Sequence, residues 1–126
     1  MKTDIKSEEQ KILDSLRIKF VASAREKLTG LATVINDLRA APDKDSLEFF
    51  LDELHTLKGL GGTFGFRDFS QIASRLEDYL EGRDEIPHQQ LDDIEIFMSR
   101  LGDCIERAEH PSSTELDQIL SDLPPR

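Results

Sequence analysis

The chain of 126 residues has no tryptophan, one tyrosine and only 6% aromatic residues. Sheets draw on aromatic and β-branched side chains, so this scarcity argues against a sandwich or barrel. There is one cysteine, Cys104, which excludes a disulfide framework and a thiolate metal site. In its apolar helical setting that thiol reads as a small core residue. No apolar run approaches the roughly 18 residues of a membrane span, and the start, Met1-Lys2-Thr3-Asp4, lacks the apolar stretch of a secretory signal. The location read from this is cytoplasmic. Positive charge is also short: 16 Lys and Arg face 26 Asp and Glu, a net charge of −10. Such a surface repels nucleic acid and anionic lipid, and no Lys/Arg cluster offsets it. The expected partner is another protein, and the expected state of the chain itself is a monomer.

What the chain does have is leucine, isoleucine and alanine at helical spacing. Its length suits one compact domain, 1–126, able to bury a core without staples. Residues 1–6 are expected to be loose and 121–126 a tail. Leu13, Leu16, Phe20, Ala24, Leu28, Leu31, Ile35 and Leu38 recur every three to four residues, one apolar stripe on a long helix. Ser7-Glu8-Glu9-Gln10 has the form of a capping box ahead of it. The run exceeds most globular helices. It leaves open either one helix or a short lead helix that breaks near residues 16–18.

After the turn Ala41-Pro42-Asp43-Lys44, Asp45 with Glu48 is expected to cap a second helix. Its buried stripe is Leu47, Phe50, Leu54, Leu57 and Phe64, and Gly65 is its stop. A third helix, 67–80, turns Phe69, Ile72, Ala73, Leu76 and Leu80 inward. Pro87 suits the first turn of a fourth, which runs to near residue 108 through Leu91, Ile94, Phe97, Met98, Leu101 and Ile105. A short helix, 114–120, precedes Pro124-Pro125. The predicted fold is all-α: an antiparallel four-helix bundle with a short extra C-terminal helix.

Within the second helix lies His55-Thr56-Leu57-Lys58-Gly59-Leu60-Gly61-Gly62-Thr63-Phe64-Gly65-Phe66. Each glycine inside a helix costs roughly 1 kcal/mol relative to alanine. A helix accepts such residues where something approaches the backbone closely. At about 100° per residue, Phe50 and Leu57 point away from His55, so the histidine faces outward. Lys58 falls about 60° from it, Gly59 about 40°, Gly62 about 20° and Leu51 about 40°. A cation and a bare strip of backbone therefore follow the histidine, with a leucine before it as a docking contact. A neutral imidazole is a competent nucleophile when its other nitrogen is held as a donor. A nearby ammonium stabilises a transferring phosphoryl group. No P-loop or other nucleotide-binding motif accompanies them, so the chain is read as a phosphoryl carrier, not a kinase, taking its group from elsewhere.

The segment His55-Thr56-Leu57-Lys58-Gly59, with Gly65 ten residues after the histidine and Leu76-Glu77 beyond, resembles the histidine-containing phosphotransfer (HPt) domain of two-component signalling. The run Gly61-Gly62-Thr63-Phe64-Gly65-Phe66 is similar to the N-terminal phosphotransfer domain of chemotaxis histidine kinases. The resemblance implies phosphorylation of His55 on its outer ring nitrogen, exchanged with an aspartate of a receiver domain. It implies that Lys58 sits by the phosphoryl group, that Gly59 clears the approach, and that Mg²⁺ is supplied by the partner receiver, with no cofactor or metal on this chain. Chemotaxis-type members hold the inner ring nitrogen with a glutamate. Glu77, 22 residues past the histidine, has that spacing. Those members also carry a second histidine three residues before the glutamate, where this chain has Ser74.

Plainer readings stand beside these. Lys58 can pair with surface acids such as Asp52 or Glu48, and Gly61 and Gly62 can serve helix packing instead of docking. His88 and His110 read as polar loop surface. A bundle that only binds a receiver or kinase would keep the docking face and lack the chemistry. A module of a larger chemotaxis-type or hybrid kinase would look the same. A di-metal bundle needs two Glu-x-x-His pairs on facing helices, which three histidines at these positions do not supply.

Overall fold

The structure, a computed structural model, describes residues 2–83, 86–107 and 109–125, with side chains of the first helix described from Ser7 onward. Five helices follow in order: α1 (Lys2–Ala40), α2 (Lys44–Thr63), α3 (Arg67–Leu80), α4 (His88–Glu106) and α5 (Ser113–Asp122). No strand occurs among the described residues. No helix among them is long and apolar enough to cross a membrane.

The packing forms a ring: α1 lies against α2 and α4, and α3 closes the circuit between them, while α5 packs on α3. Ion pairs mark the antiparallel sense. Lys27 meets Glu53 at 3.1 Å, Arg25 meets Glu106 at 2.7 Å, and Arg39 meets Asp92 at 2.6 Å. These pairs are mostly exposed and contribute little individually. The inward stripes do the holding: Phe50, Leu54, Leu57, Phe69, Ile72, Leu76, Leu80, Leu91, Ile94, Phe97 and Leu101 are essentially sealed. Each such side chain contributes about 1.5–3 kcal/mol on burial.

The ends of the elements add detail. Of the two alternatives left open for α1, the structure has one continuous helix through residues 16–18. No glycine or proline precedes Gly30 to interrupt it. The backbone is helical from Lys2 on, and Met1 lies outside the described residues. Among the described side chains of α1, burial begins at Phe20; Ile12, Leu16 and Ile18 are exposed. The cap of α2 is Asp43, not Asp45: its carboxylate accepts from the Asp45 N–H at 3.0 Å and the Ser46 hydroxyl at 2.8 Å. Extended backbone at Asp43 lets its side chain fold back onto those donors. α4 ends at Glu106, and the expected limit near 108 falls on a residue outside those described. Ser121 and Asp122 extend α5, and Leu123 is buried beside Leu116 and Leu120.

α2 stops as the sequence suggests. Gly65 has φ +86°, a left-handed conformation that costs glycine nothing. The Phe66 N–H then reaches the Gly61 carbonyl at 2.8 Å and the Gly65 N–H the Gly62 carbonyl at 3.3 Å. This double closure turns the chain sharply into α3 and sets the two helices side by side.

Candidate functional site

His55 stands on α2 at its edge with α3, its side chain 70% exposed. Its Nδ1 lies 3.0 Å from Oε2 of Glu77 on α3. One turn after His55, the Lys58 ammonium lies 2.6 Å from the other oxygen of the same carboxylate, Oε1. That oxygen is buried, and the ammonium meets it as an ion pair, not as a well-aligned hydrogen bond. Burial by itself would push the Glu77 carboxyl upward. The Lys58 ammonium and the His55 ring outweigh it and hold the group below the usual carboxylate range. Glu77 is thus ionised at neutral pH. An ionised carboxylate only accepts, so in the neutral imidazole the ring proton sits on Nδ1 and the lone pair on Nε2, the outer nitrogen.

The groove around this trio has a volume of about 430 Å³. Leu51 and Ser74 line it, and Asp52, Asp78 and Glu81 add negative charge at its rim. Leu51, expected as an exposed docking contact, is half-buried and packs against the core while still lining the groove. Lys58 pairs with Glu77, not with Asp52 or Glu48 as its plainer reading had it.

The glycines separate into three kinds. A Cβ on Gly59 would meet nothing within 4 Å among the described residues, so none of them needs that position bare. A Cβ on Gly62 would approach the Ser70 hydroxyl at 3.4 Å, which that side chain accommodates. A Cβ on Gly61 would stand 2.9 Å from the Phe69 ring, itself sealed in the core. Gly61 therefore serves helix packing, whereas Gly59 and Gly62 leave exposed backbone beyond His55. Gly59→Ala is expected to raise stability by up to about 1 kcal/mol through helix propensity. Gly61→Ala is expected to lower it by about 1 kcal/mol net, because overpacking exceeds that gain. Urea unfolding of the two variants checks the opposite signs; a stabilised Gly61→Ala would overturn the packing assignment.

Two residues were not legible as features. Asp68 is buried, with Oδ2 unpaired among the described residues, while Oδ1 accepts from the Phe69 N–H at 2.9 Å. The His110 ring stands 3.5 Å from Oδ1 and edge-on to Phe66, so this loop histidine has partners. Cys104 is buried as expected; burial, together with Asp68, pushes its thiol far above the ordinary range and keeps it inert. His88 is exposed at the start of α4. None of these lines the groove at His55.

The family description "Hpt domain" matches residues 15–111, well over half of the chain and including all of α2 and α3. Among curated proteins, the Chemotaxis protein CheA of Halobacterium salinarum is 26% identical over 103 residues. That match covers 78% of this chain and 15% of the relative, so the chain corresponds to a small part of that protein's length. No solved structure matches the chain significantly.

Proposed function

The chain belongs to the Hpt domain family, and on that premise we propose that it is a phosphorelay intermediate carrying a phosphoryl group on His55. The group passes between this imidazole and the aspartates of receiver domains. The observation that carries the reading is an exposed ring whose Nδ1 is held by Glu77, leaving Nε2 toward solvent. The Nε2 lone pair attacks the phosphorus of a partner's acyl phosphate, the bond from phosphorus to the aspartate oxygen breaks, and the aspartate leaves as a carboxylate. No proton moves, because Nδ1 keeps its hydrogen throughout. The positive charge that develops on the ring faces the Glu77 carboxylate, and the Lys58 ammonium lies beside the incoming oxygens.

Gly59 and Gly62 let the donor domain come close, and Leu51 supplies an apolar contact at the groove. Mg²⁺ belongs to the receiver's own acidic pocket. Nucleotide chemistry lies on another domain or protein, and the chain acts as a carrier.

The test is a transfer profile. Purified chain is offered to each phosphorylated receiver of its source, and acid-labile, base-stable label is followed with time. Label appearing on the chain fastest from one or a few receivers is the expected result. Tight binding of receivers with no label transferred would instead assign the chain a scaffold role.

A further inference from the structure

We infer that Arg17 of α1 is a positioning residue for transfer: it clamps the glycine-rich end of α2, so that the strip beyond His55 stays helical when a receiver docks. The functional half of this inference rests on the phosphotransfer reading; the clamp itself does not.

The end of α2 is weak by composition. Gly59, Gly61 and Gly62 fall within its last five residues, and glycine is the poorest helix former after proline. The last turn of α2 carries no basic residue to oppose the negative end of its dipole. Gly59, Gly62 and Thr63 are exposed, so nothing packs on them from outside. Beyond the double closure at Gly65 and the packing of Gly61, little within α2 itself resists fraying at this end.

The missing cation comes from α1. The Arg17 Nε–H donates to the Phe64 carbonyl at 2.9 Å, a contact spanning 47 residues. Its Nη2 stands 3.3 Å from where a Cβ on Gly65 would lie, so the guanidinium covers the turn that ends α2. Asp14, one turn earlier, lies 3.7 Å from Nη1 and helps orient the fork. Phe20, one turn later, completes the clamp with apolar contact. Its ring centroid is 5.0 Å from that of Phe66 and 6.0 Å from that of Phe64. Charge and ring together hold the helix end from the α1 side, the guanidinium part-exposed and the Phe20 ring buried. His55 lies two turns upstream, where Leu54 and Leu57 are fully buried and hold the helix on their own. Losing Arg17 should therefore loosen the docking strip and spare the imidazole.

That split is what the experiment reads. Full-length wild type, Arg17→Ala and Arg17→Lys are compared with two donors. Phosphoramidate is a small donor needing no docking: its P–N bond breaks as Nε2 of His55 bonds phosphorus, and ammonia leaves. A phosphorylated receiver is the large donor. Amide hydrogen exchange at residues 63–66 is measured in parallel. In Arg17→Ala the expected result is phosphoramidate labelling within about twofold of wild type, a half-saturating receiver concentration raised about five- to tenfold, and amide protection at the turn lowered by a similar factor. Arg17→Lys should recover part of both losses, because an ammonium supplies the charge without the fork. Unchanged amide protection in Arg17→Ala overturns the clamp. Unchanged receiver saturation, or equal loss with both donors, overturns the positioning role. Failure of phosphoramidate to label wild type at His55 would instead refute the phosphotransfer reading, while the exchange data still decide the clamp.

Discussion

Replacing His55 with glutamine is expected to abolish acid-labile phosphoryl labelling of this chain by any phosphorylated receiver, while the fold survives. The side chain is 70% exposed and its ring makes one hydrogen bond among the described residues. Surface substitutions of that kind shift stability by about 0.5 kcal/mol or less. Glutamine keeps a polar group of similar reach but has no nitrogen lone pair able to attack phosphorus. Transfer should fall to background, with the far-ultraviolet circular dichroism and melting temperature near those of wild type. Label persisting on the variant would mean that another residue carries the group.

The second large effect is expected at Glu77. Its two oxygens serve two residues at once, His55 Nδ1 at 3.0 Å and Lys58 Nζ at 2.6 Å. Glu77→Ala leaves the ring free to turn and to protonate either nitrogen, and releases the ammonium from its place. Receiver-dependent transfer should fall roughly 10- to 100-fold, the scale seen when a carboxylate that orients an imidazole is removed. Glu77→Gln should lose less, since its carbonyl oxygen can still accept from Nδ1–H. The pH dependence follows from the lowered carboxyl. A group depressed in the folded state contributes its stabilisation above its unfolded value and loses it as pH falls through the folded one. The His55–Glu77–Lys58 arrangement should therefore be intact at neutral pH and be lost from the Glu77 side only in acid, below the ordinary carboxylate range. Wild-type melting followed from pH 7 downward should show an acid loss that Glu77→Gln lacks. Identical acid profiles for the two proteins would contradict the assignment.

Much of this was legible in the order of residues, for identifiable reasons. Apolar spacing of three and four marks the inner face of each bundle helix, because each of those helices has neighbours to bury it. The same spacing misleads at Leu13 and Leu16, which continue the stripe of α1 where no other helix seals it. Periodicity shows which face a helix turns inward, not how far its neighbours extend. Asp43 and Asp45 differ as caps only by backbone conformation, which two nearby acids do not reveal. Leu123, just past the end of α5, is buried, which the prolines following it do not signal.

At the site, His55, Lys58 and Gly59 lie on one turn of one helix and could be read together. The placement of Glu77 was suggested only through a family spacing, since helix periodicity says nothing about which residues of two helices face each other. That Glu77 also takes Lys58 was not visible at all. Gly61 and Gly62 are adjacent in sequence and differ in role only because the Phe69 ring lies beneath the first. Arg17 left no signal, because its partner is a backbone carbonyl 47 residues away.

The most direct measurement is nitrogen and phosphorus NMR of the chain after phosphorylation with ring-labelled histidine. One new phosphorus–nitrogen coupling should appear, at Nε2 of residue 55, with the Nδ1 proton still present and its shift altered in Glu77→Gln. Phosphorus bonded to Nδ1, to His88 or His110, or to an oxygen would show that a different atom carries the group and that the pairing with Glu77 has another purpose.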